Sequence, residues 1–254
     1  MTRYLLAFPA LALLIACNGD DPADSGVEAD ADTDTDADSD TDADTDSDTD
    51  TDVEFTGGFF EFLSGQEVEE ATITAGDVVT ATDADGFVTL SYAPNTDIEI
   101  LFEHEDFRDF YIYNHIGAED YAINYLVPAT GTIAGLGAIM GITIDTSKAI
   151  VSVSVRDGAP ASSDYVEGVT IDLDAAYDVA LIFDEAANTG LAAGNTTLEG
   201  EQSTVIFVNV EAGDLTPVIT HPDEAATCTL GSETFNAPAG SYAISSLFCS
   251  VEGG

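Results

Sequence analysis

The stretch TDADGFVTLSYAPNTDIEILFEHEDF, residues 82–107, decides how the rest of the chain is read. It opens on a turn, Asp83-Ala84-Asp85-Gly86, where glycine supplies the positive φ that a tight reversal needs. Phe87-Val88-Thr89-Leu90-Ser91-Tyr92 then reads as a strand, and Ala93-Pro94-Asn95-Thr96-Asp97 as a second turn. The next run, Ile98-Glu99-Ile100-Leu101-Phe102, begins by alternating apolar with acidic residues, the pattern of a half-buried antiparallel strand. Strand and turn succeed each other so quickly that a hairpin is predicted.

The same rhythm extends outward on both sides. Phe55, Phe59, Phe60 and Phe62 mark an aromatic first strand, interrupted by Gly57-Gly58. Glu67 to Thr74 leads into the turn Ala75-Gly76-Asp77, and Val78 to Thr82 and Phe110 to Tyr113 add further strands. Beyond them, Ala149 to Val155 alternates cleanly and stops at Arg156-Asp157-Gly158-Ala159-Pro160. Val166 to Leu173, Val179 to Asp184 and Thr204 to Val210 follow, the last running through Glu211-Ala212-Gly213-Asp214 into Leu215 to Thr220. Thr130 to Ile142 is apolar but broken by four glycines, and reads as a packed connector or a short helix. The fold class expected is all-β: one or two antiparallel β-sandwich domains, the first over 55–144 and the second over 145–254.

With its D-x-D-G turn, aromatic-rich strand, Pro-containing turn and apolar strand, the 82–107 stretch resembles the carboxypeptidase regulatory-like (transthyretin-like) β-sandwich. The segment Val205 to Thr220 has a similar strand, turn and strand order, so the two halves read as distant copies. The resemblance implies an accessory module with a carbohydrate-binding-like fold. It does not bring the zinc enzyme with it. His221-Pro222-Asp223-Glu224 has the H-x-x-E spacing of the carboxypeptidase site, but too little chain follows Glu224 to supply the distant third ligand. No H-E-x-x-H, G-x-S-x-G or P-loop motif is present.

The N-terminus reads as an address. Arg3 precedes an apolar run from Tyr4 to Ala16 that is too short to span a bilayer, which needs about 20 residues, and suits a secretory signal. It ends Leu14-Ile15-Ala16-Cys17, which resembles a bacterial lipobox; the resemblance implies cleavage after residue 16 and a lipid on Cys17. Residues 1–16 are thus the signal peptide and 17–54 a lipidated cysteine with a disordered spacer. Asn18, not Asp, follows the cysteine, which favours the outer membrane within the cell envelope. From Asp30 to Asp52 every even-numbered residue is Asp, with only Ala, Thr or Ser between, so no core can form there. The 37 residues of 18–54 would span roughly 35 Å as a flexible chain, and more where charges repel.

Composition narrows the partners. The chain carries 49 acidic and four basic residues, a net charge of -45, which excludes a nucleic-acid footprint and leaves the membrane approachable only through the lipid. Seventeen acids fall between Asp20 and Glu54, and 32 remain beyond with Arg108, Lys148 and Arg156 as the only cations there. Burial and sheet hydrogen bonds must therefore carry the fold. With Cys17 acylated, Cys228 and Cys249 form an even pair and a candidate disulfide, two free buried thiols being the alternative.

No cofactor is called for, calcium excepted. Asp83 and Asp85 are candidate calcium ligands, with a plain turn as the bland reading; the aspartate tract lacks the glycine and bidentate Glu of an EF-hand loop. His104, Glu105, Asp106, Asp109 and His115 form the densest run of metal-ligand types, with a solvated strand end as the alternative. The reading is of a monomeric, non-enzymatic, surface-anchored lipoprotein with binding or structural modules. A carbohydrate- or calcium-binding module is the alternative, with Tyr92, Phe102, Tyr111, Tyr113, Tyr121 and Tyr125 as candidate stacking faces; a hydrolase using a carboxylate pair comes third.

Overall fold

A computed structural model describes residues 52–251 except 163, 188 and 231–233. The signal, Cys17 and nearly all of the aspartate tract lie outside the described residues. The first strand, β1 (Val53–Glu61), begins two residues before the expected boundary at 55. After it come β2 (Thr72–Ala75), β3 (Val78–Ala81), β4 (Phe87–Tyr92), β5 (Thr96–Glu103), β6 (Phe110–Ile116), β7 (Tyr121–Val127) and the helix α1 (Thr130–Met140). Next in the chain are β8 (Ala149–Asp157), β9 (Asp164–Tyr165), β10 (Thr170–Leu173), β11 (Val179–Phe183), β12 (Leu191–Ala193) and β13 (Thr204–Val210). The last are β14 (Gly213–Leu215), β15 (Pro217–Thr220), β16 (Ala226–Leu230), β17 (Phe235–Ala237) and β18 (Tyr242–Val251). The all-β class is as expected.

One long sheet organises these strands, in the order β12-β11-β13-β8-β18-β6-β5-β2-β3, with β16 beside β18 and β9 beside β8. Smaller sheets, β4-β1-β7 on one hand and β10-β15 and β14-β17 on the other, complete the layers. Most pairs are antiparallel, but β18 runs parallel to both β6 and β8, and β1 parallel to β7. The C-terminal strand thus lies between the two halves of the chain.

Alternation in β18 and its neighbours separates two cores. Phe110 and Ile112 of β6, with Tyr242 and Ile244 of β18, belong to the core against β4-β1-β7, beside Phe55, Phe59 and Phe102. Tyr111 and Tyr113 of β6, Ala243 and Leu247 of β18, and Val151 and Val153 of β8 belong to the other core, beside Ile171, Phe207 and Phe235. Period-2 geometry sends successive side chains to opposite faces, so one strand serves both.

The 82–107 stretch is not a hairpin. β3 belongs to the long sheet, β4 to the three-stranded one, and β5 to the long sheet again. Both flanks of β5 are occupied, by β2 and β6, while β4 pairs with β1, so β4 and β5 have no ladder between them. The Val205 to Thr220 segment crosses layers too: β13 sits between β11 and β8, and β15 pairs with β10. The first turn is anchored locally. Asp83 Oδ1 accepts the backbone N–H groups of Asp85 at 3.0 Å and Phe87 at 2.8 Å, and Gly86 adopts φ +79.

Gly57-Gly58 does not break β1. Its ladder with β4 and β7 runs through both glycines. A Cβ on Gly58 would strike Asn124 Oδ1 and the rings of Phe87 and Phe60, so glycine is a packing requirement there.

Cys228 and Cys249 form a disulfide between register partners of β16 and β18. The bridge closes a sequence separation of 21 residues, for which loop entropy gives about 3 kcal/mol. Replacing both cysteines with serine should therefore lower unfolding stability by about that amount in a denaturant titration. An unchanged midpoint would contradict the assignment.

Candidate functional site

In its second half the long sheet has a face that is only partly covered, by α1 and by one side of β7. Side chains of β8 alternate: Val151, Val153 and Val155 enter a core, while Ile150, Ser152, Ser154 and Arg156 point the other way. Thr204, Ile206 and Val208 of β13, Leu181 and Phe183 of β11, and Tyr242, Ile244 and Ser246 of β18 share that second face. β7 and α1 stand above it, through Ile123, Asn124, Tyr125, Ile133, Leu136 and Met140. Between floor and walls is a groove of about 200 Å³.

The floor is graded in polarity. One row joins Tyr242, Ile150 and Val208 across three strands, and the next joins Ile244, Ser152 and Ile206. A third row aligns three hydroxyl side chains, Ser246, Ser154 and Thr204. Arg156 lies beyond it. At about 3.3 Å per residue, Ile150 and Arg156 are roughly 20 Å apart along β8. Ser152, Ser154 and Thr204 are buried but paired: Ser152 Oγ lies 2.5 Å from the Tyr242 phenol oxygen, and Ser154 Oγ 2.7 Å from Thr204 Oγ1. Burial pushes the Tyr242 phenol up to about 12, so it remains a neutral hydrogen-bonding group at neutral pH.

Arg156 is held by an aromatic partner. Its guanidinium carbon sits 4.6 Å from the ring centroid of Tyr165, its register partner on β9, and an Nη donates weakly to the Tyr165 hydroxyl at 3.5 Å. The Arg156 Nε is buried and makes no hydrogen bond. Among the described residues no carboxylate lies within ion-pair distance of this guanidinium.

The apolar end depends on α1 and the segment after it. Gly141 ends the helix at φ +73, and Ile142 N–H donates to the Gly137 carbonyl at 2.8 Å, a left-handed C-terminal cap. A Cβ on Gly137 would meet Ile144 Cγ1 at 2.7 Å, so the segment folds back directly over the helix. Asn209 pins it to the sheet. This buried residue occupies the β13 bulge at φ +58, a conformation asparagine tolerates. Its side chain donates to the Thr143 carbonyl at 2.7 Å and Asp178 Oδ2 at 2.8 Å, and accepts the Asp145 N–H at 2.8 Å.

The residues singled out from sequence fall elsewhere. Cys17 is outside the described residues. Of Asp83 and Asp85, the first spends one oxygen on the turn and the second is exposed. His104 and His115 do not converge: His104 Nδ1 lies 4.0 Å from Asp106, and His115 Nδ1 2.7 Å from Asp97 across the β5–β6 ladder. His221 Nδ1 accepts the Asp223 N–H at 3.0 Å within a turn, and Glu224 is exposed. Among the described residues, Asp157, His221 and Cys249 are the one trio with donor atoms within 4.8 Å of one another, and Cys249 is bound in the disulfide. Asp157 Oδ1 is 3.2 Å from His221 Nε2, yet neither atom makes a well-aligned hydrogen bond; we read this as proximity only.

Nor do the six aromatics form a platform. Phe102, Tyr113, Tyr121 and Tyr125 are buried, and Tyr92 and Tyr111 are half-buried. The groove was missed because Ser152 and Ser154 read as the solvent side of an alternating strand and Arg156 as the start of a turn, whereas β8 runs on to Asp157. Two small hydroxyl side chains and one of only four basic residues, in a chain that uses acids on its exposed faces, were the available signal.

No protein-family model matches this chain, and no curated protein does. Solved structures with some likeness include the minor pilin GBS52 of Streptococcus agalactiae, at 10% identity and a TM-score of 0.30, covering 78% of this chain and 96% of that one. The Streptococcal ancillary pilin gives 10% identity and 0.26, covering 78% and 63%. The shaft pilin spaA of Lactobacillus rhamnosus GG gives 11% identity and 0.25, covering 80% and 99%. Likeness this slight does not bear on what this chain does.

Asn209→Gly keeps the backbone conformation but removes three hydrogen bonds, at about 1 kcal/mol each. It should lower stability by about 2–3 kcal/mol and speed amide exchange over residues 141–145. Unchanged exchange there would show that Asn209 does not hold the roof of the groove.

Proposed function

We propose that this chain is a non-enzymatic, lipid-anchored protein of the cell envelope, whose folded part is a binding module with its site in the groove beneath α1. The observation that carries the binding reading is the groove itself. It is concave, mainly apolar, and furnished with a short row of hydroxyls and one guanidinium, the composition expected of a small-molecule site. Its walls come from β7 and α1 and its floor from strands of the long sheet, so the site is built on rigid elements.

The anchor rests on the sequence. The Leu14-Ile15-Ala16-Cys17 run and the aspartate spacer support a module held off a membrane by lipid, with the outer membrane favoured. Burial of four of the six candidate stacking aromatics weighs against a displayed sugar platform and toward the groove.

Two measurements address the two halves. In bacteria expressing the full chain, radiolabelled palmitate should enter the protein and be lost in Cys17→Ser; label retained by the variant would remove the anchor. For the groove, a neutral solvatochromic dye should bind the purified C17S chain with a blue shift. Ser154→Phe places a ring on the floor and should reduce that binding at least tenfold; dye bound equally well by a folded variant would place it elsewhere.

A further inference from the structure

About one residue in five of this chain is acidic, yet no carboxylate lines the groove among the described residues. Its single charged side chain is Arg156, one of only four basic residues in the sequence. This part-exposed guanidinium is stacked on Tyr165 and not ion-paired, with its Nε buried and unpartnered. Away from it the floor grades through the Ser154 and Thr204 hydroxyls to Ile150 and Val208.

Building on the groove reading above, we propose that the ligand is an apolar-tailed carboxylate, its head group on Arg156 and its tail directed under α1. The chemistry follows from what each end lacks. A carboxylate is a planar acceptor that guanidinium nitrogens meet with charge-assisted hydrogen bonds. An alkyl chain gains from the apolar floor in proportion to the area it covers. The paired hydroxyls between, Ser152 with Tyr242 and Ser154 with Thr204, satisfy each other and leave the middle passable to methylene groups. The chain's overall negative charge does not prevent this, because exposed charges are screened beyond about 8 Å at physiological ionic strength.

The test compares dodecanoate with dodecanol as displacers of the neutral dye from the C17S chain. Dodecanoate should bind at least tenfold more tightly, the lower end of what a charge-assisted pair supplies. Arg156→Gln should bring the acid to within about threefold of the alcohol while the alcohol's own affinity holds, which also shows that the variant is folded. Arg156→Lys should retain part of the preference. Equal binding of acid and alcohol by the native side chain, or an acid preference surviving in R156Q, would overturn the carboxylate assignment and leave the groove reading in place. Failure of both compounds and of the dye would overturn both.

Discussion

The structure depends on the insertion of β18 between β6 and β8. Its backbone donates to and accepts from strands that lie more than thirty residues apart in sequence, and both pairings are parallel. Its side chains alternate between two apolar cores, Tyr242 and Ile244 to one and Ala243 and Leu247 to the other. Removing a strand in that position would open two ladders and expose two cores together. The edge strands are different in kind: β3 pairs on one side only, and Val78 and Val79 are 52% and 68% exposed. The disulfide reinforces the central strand by tying it to β16.

The groove is a consequence of the same arrangement. Because the small sheets lie on opposite faces of the long one, each half of the long sheet has a face without a complete strand layer. In the second half that face is roofed by α1 and the segment after it, which Asn209 holds from the β13 bulge. A helix covers less of a sheet than a second sheet does, and space remains at its side. At the apolar end of that space Leu181, Leu191 and Val208 pack with Met140, Ile142 and Ile144 as a small core of their own, while the other end aligns three hydroxyls beside a guanidinium, which a core would not do. We attribute the proposed site to this incomplete roof.

Much of the architecture was legible in the sequence, and the reasons are local. Ala149–Val155 alternates from Val151 onward and Phe87–Tyr92 is an aromatic and apolar run between two turns, and both are strands. The Asp83–Gly86 turn carries its own chemistry, an aspartate accepting two N–H groups and a glycine at positive φ. Which strands pair is a non-local matter, and there the reading failed: adjacency of β4 and β5 suggested a hairpin, while β1, β2 and β6 compete for the same edges and take them. β18 went unrecognised because Ser245-Ser246 interrupts its apolar run; both serines are buried inside the sheet. The groove was hidden for a related reason. Period-2 alternation says that two sets of side chains face opposite ways, and it cannot say what lies above each.

If β18 is the shared element, the two cores cannot unfold separately. Native-state amide hydrogen exchange measures this most directly, because it reports opening free energies strand by strand. The amides of β6, β8 and β18 should exchange with one common free energy, equal to that of global unfolding. A β6 set opening several kcal/mol below the β8 set, with β18 following only one of them, would contradict the account.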